Sequence, residues 1–317
     1  MAFRLKLVPD ETRINFFRWQ ALTTGISLAA MVASVILIFT MGLNLGIDFK
    51  GGTLIEMRAK AGNADVSELR KTAEHLGIGD VEVQSFGASS DVTLRFGVQP
   101  GGDAAQEAAV EKIRTALGGS YEFRRTEVVG PRVSGELVQS GTLGVVVSII
   151  AVLTYLWFRF EWQFAVAAVI ATMHDLLLTV GFFSLTHLEF NTTSIAAILT
   201  IVGYSLNETV VVLDRIREMM RKYKRMPTAE LIDMSINAVI PRTIMTASTV
   251  LLALLSLVIF GGQVIRSFSL AMTFGIFVCT YSAIFICSPM LIYLGLRNES
   301  AAPARNEADA KGQEAIA

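Results

Sequence analysis

Six apolar runs, each long enough to cross a bilayer, dominate the chain: Leu22–Leu45, Leu137–Phe158, Trp162–Leu185, Thr192–Leu213, Thr243–Phe260 and Ser267–Leu294. A hydrocarbon core about 30 Å thick needs roughly 20 apolar residues of helix to span it. Inside it, every backbone N–H and C=O must be bonded within the protein, so runs of this length fold as helices. Composition agrees: 52% of the 317 residues are hydrophobic and only 17% are charged. A net charge of −1 offers no basic field for nucleic acid.

Charge sets the expected topology. Residues 1–21 carry Arg4, Lys6, Arg13 and Arg18 ahead of the first span at 22–45. That span is longer than a signal-peptide core and reads as a retained anchor. With six spans both termini share one side, and so does the stretch 214–242, which holds Arg215, Arg217, Arg221, Lys222, Lys224, Arg225 and Arg242. The positive-inside rule places this side in the cytoplasm. The expectation is a multi-pass membrane protein with both termini in the cytoplasm, a cytoplasmic loop at 214–242 and a disordered cytoplasmic tail at 297–317. The segment Pro227–Ile240 is amphipathic and reads either as a helix on the membrane surface or as a plain connecting helix.

Residues 46–135 differ in character, with frequent charges and short apolar runs. Their signals run strand Thr53–Lys60, helix Asp65–Leu76, strand Asp80–Phe86, strand Asp91–Val98, helix Asp103–Leu117, strand Tyr121–Val129. Asp65 and Asp103 sit where N-caps belong. This β-α-β-β-α-β order is the split-βαβ, or ferredoxin-like, pattern. The fold class is therefore a polytopic α-helical membrane protein with one small periplasmic α+β domain. The remaining five spans occupy 136–296.

Chemistry concentrates in the fourth run, which carries Asn207 and Glu208 and ends at Asp214. An acid at mid-span is unfavourable by about 2.5–3.5 kcal/mol and normally faces protein or water. Glu208 lies about 24 Å along the helix from Thr192, in its cytoplasmic third. Arg242 opens the fifth run from the same side and is the expected partner. Arg242, Thr246 and Thr249 share one helical face, as do Ser205, Glu208 and Thr209. One reading makes Glu208 a proton carrier biased by Arg242. The alternatives are a structural ion pair, or snorkelling of Arg242 to the interface. His174–Asp175 in the third run either extends a proton path or ties helices together, with the tie favoured. Asn207 reads as interhelical glue, and Asp214 as a solvated or capping residue. Ala271 with Gly275, and Gly144 with Ser148, are small pairs suited to close helix packing.

Nothing calls for a cofactor or a metal. Cys279 and Cys287 are about 12 Å apart on a helix, too far for a disulfide within it. The sequence has no CxxC motif, and His75, His174 and His187 are scattered. Gly51–Gly52 reads as a turn leading into the α+β domain, without the strand–GxGxxG–helix context of a nucleotide loop.

Five stretches carry a family resemblance: GIDFKGGT (Gly46–Thr53), VGPRVSGEL (Val129–Leu137), the His174–Asp175 pair, GYSLNETVVVLDRIRE (Gly203–Glu218) and PRTIMTAST (Pro241–Thr249). From Asn44 to about Leu294 the chain resembles the SecF family, the smaller membrane subunits of the bacterial SecD–SecF complex and relatives of the resistance-nodulation-division exporters. The resemblance implies a non-enzymatic translocase subunit of the bacterial inner membrane. It would work with SecD, the SecYEG channel and SecA, using the proton-motive force to draw unfolded preprotein across the membrane. It also implies that Glu208 and Arg242 take part in proton transport. The family motif usually has Asp where this chain has Glu208, so the carboxylate here stands one methylene further out. The alternatives are a proton-coupled exporter of lipids or small molecules, and a purely structural subunit.

Overall fold

The computed structural model describes residue 9, residues 12–85 and residues 88–296, apart from the side chains of Gln263 and Val264. The tail expected to be disordered, 297–317, lies outside the described residues, as do Arg4, Lys6 and Phe86. Six helices among the described residues are long and apolar enough to cross a membrane. They are α1 (Gln20–Thr40, preceded by a 3-10 turn), α5 (Pro131–Arg159), α6 (Trp162–Thr186), α7 (Thr192–Lys222), α8 (Thr228–Phe260) and α9 (Gln263–Ser282). The last is prolonged by a π turn (Ala283–Cys287) and by α10 (Ser288–Tyr293). Between α1 and α5 lie α2 (Ile47–Lys50), β1 (Gly52–Ala59), α3 (Val66–His75), β2 (Val81–Ser85), β3 (Asp91–Phe96), α4 (Asp103–Leu117) and β4 (Tyr121–Val129). The chain divides into two compact units. One comprises residues 43–146 and 189–195, and the other holds the rest.

The α+β unit has the expected topology. Its sheet runs β2-β3-β1-β4, and all three pairings are antiparallel. Alternation along the strands sends Ile55 and Met57 of β1 and Val92, Leu94 and Phe96 of β3 to one face. Ile55 pairs with Leu94, and Met57 with Val92. Leu69 and Ala73 of α3 and Ala109, Ile113 and Leu117 of α4 complete this core. Full burial of each large side chain contributes about 1.5–3 kcal/mol. The Asp65 carboxylate accepts from the backbone N–H groups of Ser67 and Glu68, a true N-cap. Asp103 instead lies one residue inside α4, whose cap is Gly102. There it still favours the helix dipole.

Gly51 and Gly52 are fixed by conformation and by space. Their φ values are +71° and +119°, and a Cβ on Gly52 would lie 2.4 Å from the Phe96 carbonyl oxygen. Across β1 and β3, the Arg58 Nε and Nη2 atoms donate to the two Asp91 carboxylate oxygens at 2.5 and 2.7 Å. That guanidinium holds the Asp91 carboxyl below the usual range.

In the helical unit, α1 and α6 pack closely, because Gly181 leaves room for Ser34. A Cβ there would sit 2.3 Å from the Ser34 Oγ. Ser184 Oγ donates to the Leu37 and Gly42 carbonyls. Gly275 makes the same kind of room for Ile201, with a hypothetical Cβ at 2.4 Å. A Cβ on Gly144 would meet no atom of another element within 4 Å among the described residues, so the Gly144–Ser148 pair does not make room for a neighbour there.

The stretch 214–242 is not a loop. Helix α7 runs on to Lys222 and α8 begins at Thr228, leaving only residues 223–227 as the connection. The physical reason is burial. Leu231, Ile232, Ile236, Val239 and Ile240 pack into one core with Val212, Leu213 and Ile216, so this segment is neither surface-bound nor a separate connector. Pro241 sits inside α8. The segment before α1 is held to α8 by Asn237, which accepts from the Ile14 N–H and donates to the Ile14 carbonyl (2.9 and 2.8 Å).

Two outcomes follow for the α+β unit. Gly52→Ala forces a side chain into the Phe96 carbonyl at an unfavourable φ. We expect it to destabilise the unit by about 1–3 kcal/mol, seen as faster hydrogen exchange of β1 amides in the whole protein; unchanged exchange would refute the steric argument. The depressed Asp91 carboxyl contributes stability that is present above its unfolded value of about 3.9. That stability is lost as pH falls through the lower folded value. Asp91→Asn is expected to flatten the acid-side rise in exchange of β1 and β3; an identical rise in both proteins would exclude the pair as its cause.

Candidate functional site

Helices α6, α7 and α9 meet at one carboxylate. Asp175 on α6 is 1% exposed, and so is its neighbour His174. Asp175 Oδ2 accepts from Ser205 Oγ on α7 at 2.6 Å and from Ser282 Oγ on α9 at 2.7 Å. Its Oδ1 lies 2.9 Å from His174 Nδ1. A buried carboxylate needs donors in place of water, and this one draws them from three places. Ser282 immediately precedes the π turn, where the backbone changes its hydrogen-bond register. The His174 ring lies 6.3 Å from that of Tyr281, whose hydroxyl donates to the Thr23 carbonyl of α1. Cys279 Sγ approaches the Ile201 carbonyl at 3.8 Å, a further contact of α9 with α7. The arrangement is an interhelical tie, the reading the sequence favours for this pair.

Glu208 lies one turn beyond Ser205 on α7 and is 3% exposed. Its Oε1 has no hydrogen-bond partner among the described residues. The same holds for His174 Nε2 and the hydroxyls of Tyr204, Thr209 and Thr243. Tyr204 stands near Glu208, and its hydroxyl faces Thr246 and Thr280 without a well-aligned bond to either. Cys279 lies near both Asp175 and Glu208.

The expected Glu208–Arg242 ion pair does not form. Among the described residues no N···O contact within 4.0 Å joins them. Glu208 faces inward, whereas Arg242 is exposed on α8, as are Thr246 and Thr249 of the same stripe. Asn207 is also exposed and, among the described residues, makes no hydrogen bond to another helix, so it does not act as glue between these helices. One residue along a helix turns the side chain by about 100°, which separates Asn207 from the inward Glu208. Asp214 is partly solvated, as expected, and it lies inside α7 rather than capping it. Both its carboxylate oxygens accept from Arg159 Nη2, at 2.8 and 2.7 Å, tying α7 to the end of α5.

Sequence reasoning grouped Ser205 with Glu208 but missed Ser282 and Tyr204. The available signal was weak: hydroxyl groups inside apolar runs, common in any helix bundle. Among the described residues no group of three or more His, Cys, Asp or Glu side chains could hold a metal ion.

Comparison with known proteins adds a second line. Residues 109–297 match the family described as protein export membrane protein SecD/SecF, C-terminal, and residues 36–62 match the SecD/SecF GG motif. The chain is 44% identical over 311 residues to the protein translocase subunit SecF of Rhodobacter capsulatus, covering 93% of each. It is 43% identical to the protein translocase subunit SecDF of Brucella abortus, covering 93% of this chain but 39% of that one. The crystal structure of SecDF from Thermus, described as a translocon-associated membrane protein, superposes with a TM-score of 0.82 at 34% identity. It covers 92% of this chain, which spans about two fifths (40%) of that longer one.

The tie generates a measurable contrast. Asp175→Ala strands the Ser205 hydroxyl, while the Ser282 hydroxyl keeps the Cys279 carbonyl as an acceptor at 3.1 Å; the helical unit is expected to lose about 1–2 kcal/mol. Asp175→Asn keeps an acceptor and should lose less in a thermal unfolding series in detergent. Equal losses would mean that the hydrogen bonds do not hold the helices.

Proposed function

This chain belongs to the SecD/SecF family of protein-export membrane proteins, and on that premise we propose that it acts as a SecF-type translocase subunit in which Glu208 binds and releases a proton. The observation that carries the reading is the state of Glu208: a buried acid with an oxygen that has no partner among the described residues, one helical turn from Ser205, whose hydroxyl is committed to the Asp175 carboxylate. Asp175 is committed to structure, while Glu208 is not. A buried group that lacks a fixed partner is costly to keep and is a candidate for function.

Arg242 supplies the positive charge that the site needs at one stage of the cycle. Its exposure on a membrane-spanning helix supports a protein cover, since an arginine facing lipid at depth is unfavourable. We assign that cover to SecD. The relatives that carry both parts in one chain extend well beyond the region matched here. The wider machinery is SecYEG with SecA, and the substrate is unfolded preprotein. The basic end of α7 and the connection after it, with Arg215, Arg217, Arg221, Lys222, Lys224 and Arg225, assign this side and both termini to the cytoplasm. The α+β unit then faces the periplasm of an inner-membrane protein. One charge moving through 100 mV releases about 2.3 kcal/mol, more than the roughly 1.4 kcal/mol that gives a tenfold bias.

Glu208→Gln keeps the size and loses the titration. Export of a reporter preprotein is expected to fall about tenfold or more, with co-purification of the complex unchanged. Glu208→Asp should retain most of it. Normal export in an assembled Glu208→Gln complex would remove the proton role.

A further inference from the structure

We propose that Arg95 and Glu189 form the joint that couples the α+β domain to α7, the helix carrying Glu208, so that both act as positioning residues for the export cycle. The inference rests on the proton-coupled reading above and extends it to residues outside the helix core.

The joint is built where residues 189–195 belong to the same compact unit as the domain. The turn before α7 runs beside the segment after α1. Phe190 N–H donates to the Asn44 carbonyl, and Gly46 N–H donates to the Phe190 carbonyl, both at 2.8 Å. Asp48 Oδ2 accepts from the Thr192 N–H and Oγ1 at 2.9 and 2.7 Å, so a residue far away in sequence caps α7. From the sheet, Arg95 of β3 places Nη2 3.0 Å from Glu189 Oε2. Its Nη1 is 3.4 Å from Asn44 Oδ1 and 3.7 Å from Glu82 Oε2 of β2. One guanidinium thus joins two strands, the segment after α1 and the turn that starts α7. Gly46 gives the Glu189 carboxylate its room, since a Cβ there would lie 2.6 Å from Oε1.

The pair suits positioning better than stability. The two side chains are 17% and 27% exposed, a range in which desolvation offsets most of the attraction. Burial pushes the Glu189 carboxyl up, Arg95 pulls it back, and Asp48, Glu127 and Glu82 push it up further. Without Arg95, a half-buried acid would stand among three others, and the turn would lose its fixed place. What the pair secures is geometry at the first turn of a continuous helix. Glu208 lies on that same helix, about 24 Å further along. A displacement at either end of a rigid helix is transmitted to the other.

The test uses the assembled translocase in vesicles, with proton flux and preprotein export measured separately. Arg95→Ala and Glu189→Ala are expected to leave assembly and flux intact while export falls about fivefold or more, the lower range of a typical coupling. The double variant should be no worse than either single, because the residues act through each other. Arg95→Lys should restore part of the export. Unchanged export, joint loss of flux and export, or additive effects would each overturn the joint. Should Glu189→Ala fail to assemble, Glu189→Gln, which keeps the side chain's size but removes the charge that holds Arg95, carries the same test. Glu208→Gln is the reference: flux that survives it overturns the proton reading, while flux lost there and retained in the Arg95 and Glu189 variants separates the two claims.

Discussion

A carboxylate cannot be buried among apolar helices without donors, and Asp175 is where this chain meets that demand. Two serine hydroxyls and an adjacent histidine surround it, and they come from three helices. The packing of α6 against α9 and of α7 against both is thereby given a polar centre that only one arrangement satisfies. Apolar contacts between helices in a bilayer have little hydrophobic drive of their own. Hydrogen bonds of this kind, with small residues such as Gly181 and Gly275 that permit close approach, set the geometry instead.

Glu208 gains its meaning from that background. Two acids lie close together on α6 and α7, and the fold treats them differently. One is fully engaged, and the other has an oxygen left over. The outward stripe of Arg242, Thr246 and Thr249 completes the contrast, because it places charge where this chain alone offers no cover. On the proposed reading, a site divided between an inward acid and an outward base would belong to an assembly rather than to a single subunit. That is consistent with relatives in which the matched region is less than half of a longer chain.

The α+β unit follows a different logic. Its core is an ordinary sheet with two helices on one face, and its distinctive features lie around the start of β1 and the turn at residues 189–195. Gly51 and Gly52 hold backbone conformations that side chains avoid, so that β1 can start against the Phe96 carbonyl. Asp48 and Arg95 then reach the start of α7. Polar contacts from residues distant in sequence thus hold the first turn of α7 within the α+β unit.

Much of this was legible from residues alone. Six helices followed from run length, because backbone polar groups leave a bilayer no other solution, and the β-α-β-β-α-β order followed from alternation and turn residues. The place of Glu208 and of the His174–Asp175 pair was visible because charges stand out in apolar runs. Local pattern could not show which way each side chain faces once helices pack. It left Arg242 as the partner of Glu208, Asn207 as glue, Asp214 as a solvated or capping residue and 214–242 as a loop. Only the tertiary structure turned Arg242 and Asn207 outward, gave Asp214 to Arg159, and drew residues 228–240 into the core. The physical reason is the same in each case. Helical propensity and hydropathy are properties of neighbours in sequence, whereas burial, ion pairing and hydrogen-bond satisfaction are settled between segments distant in sequence.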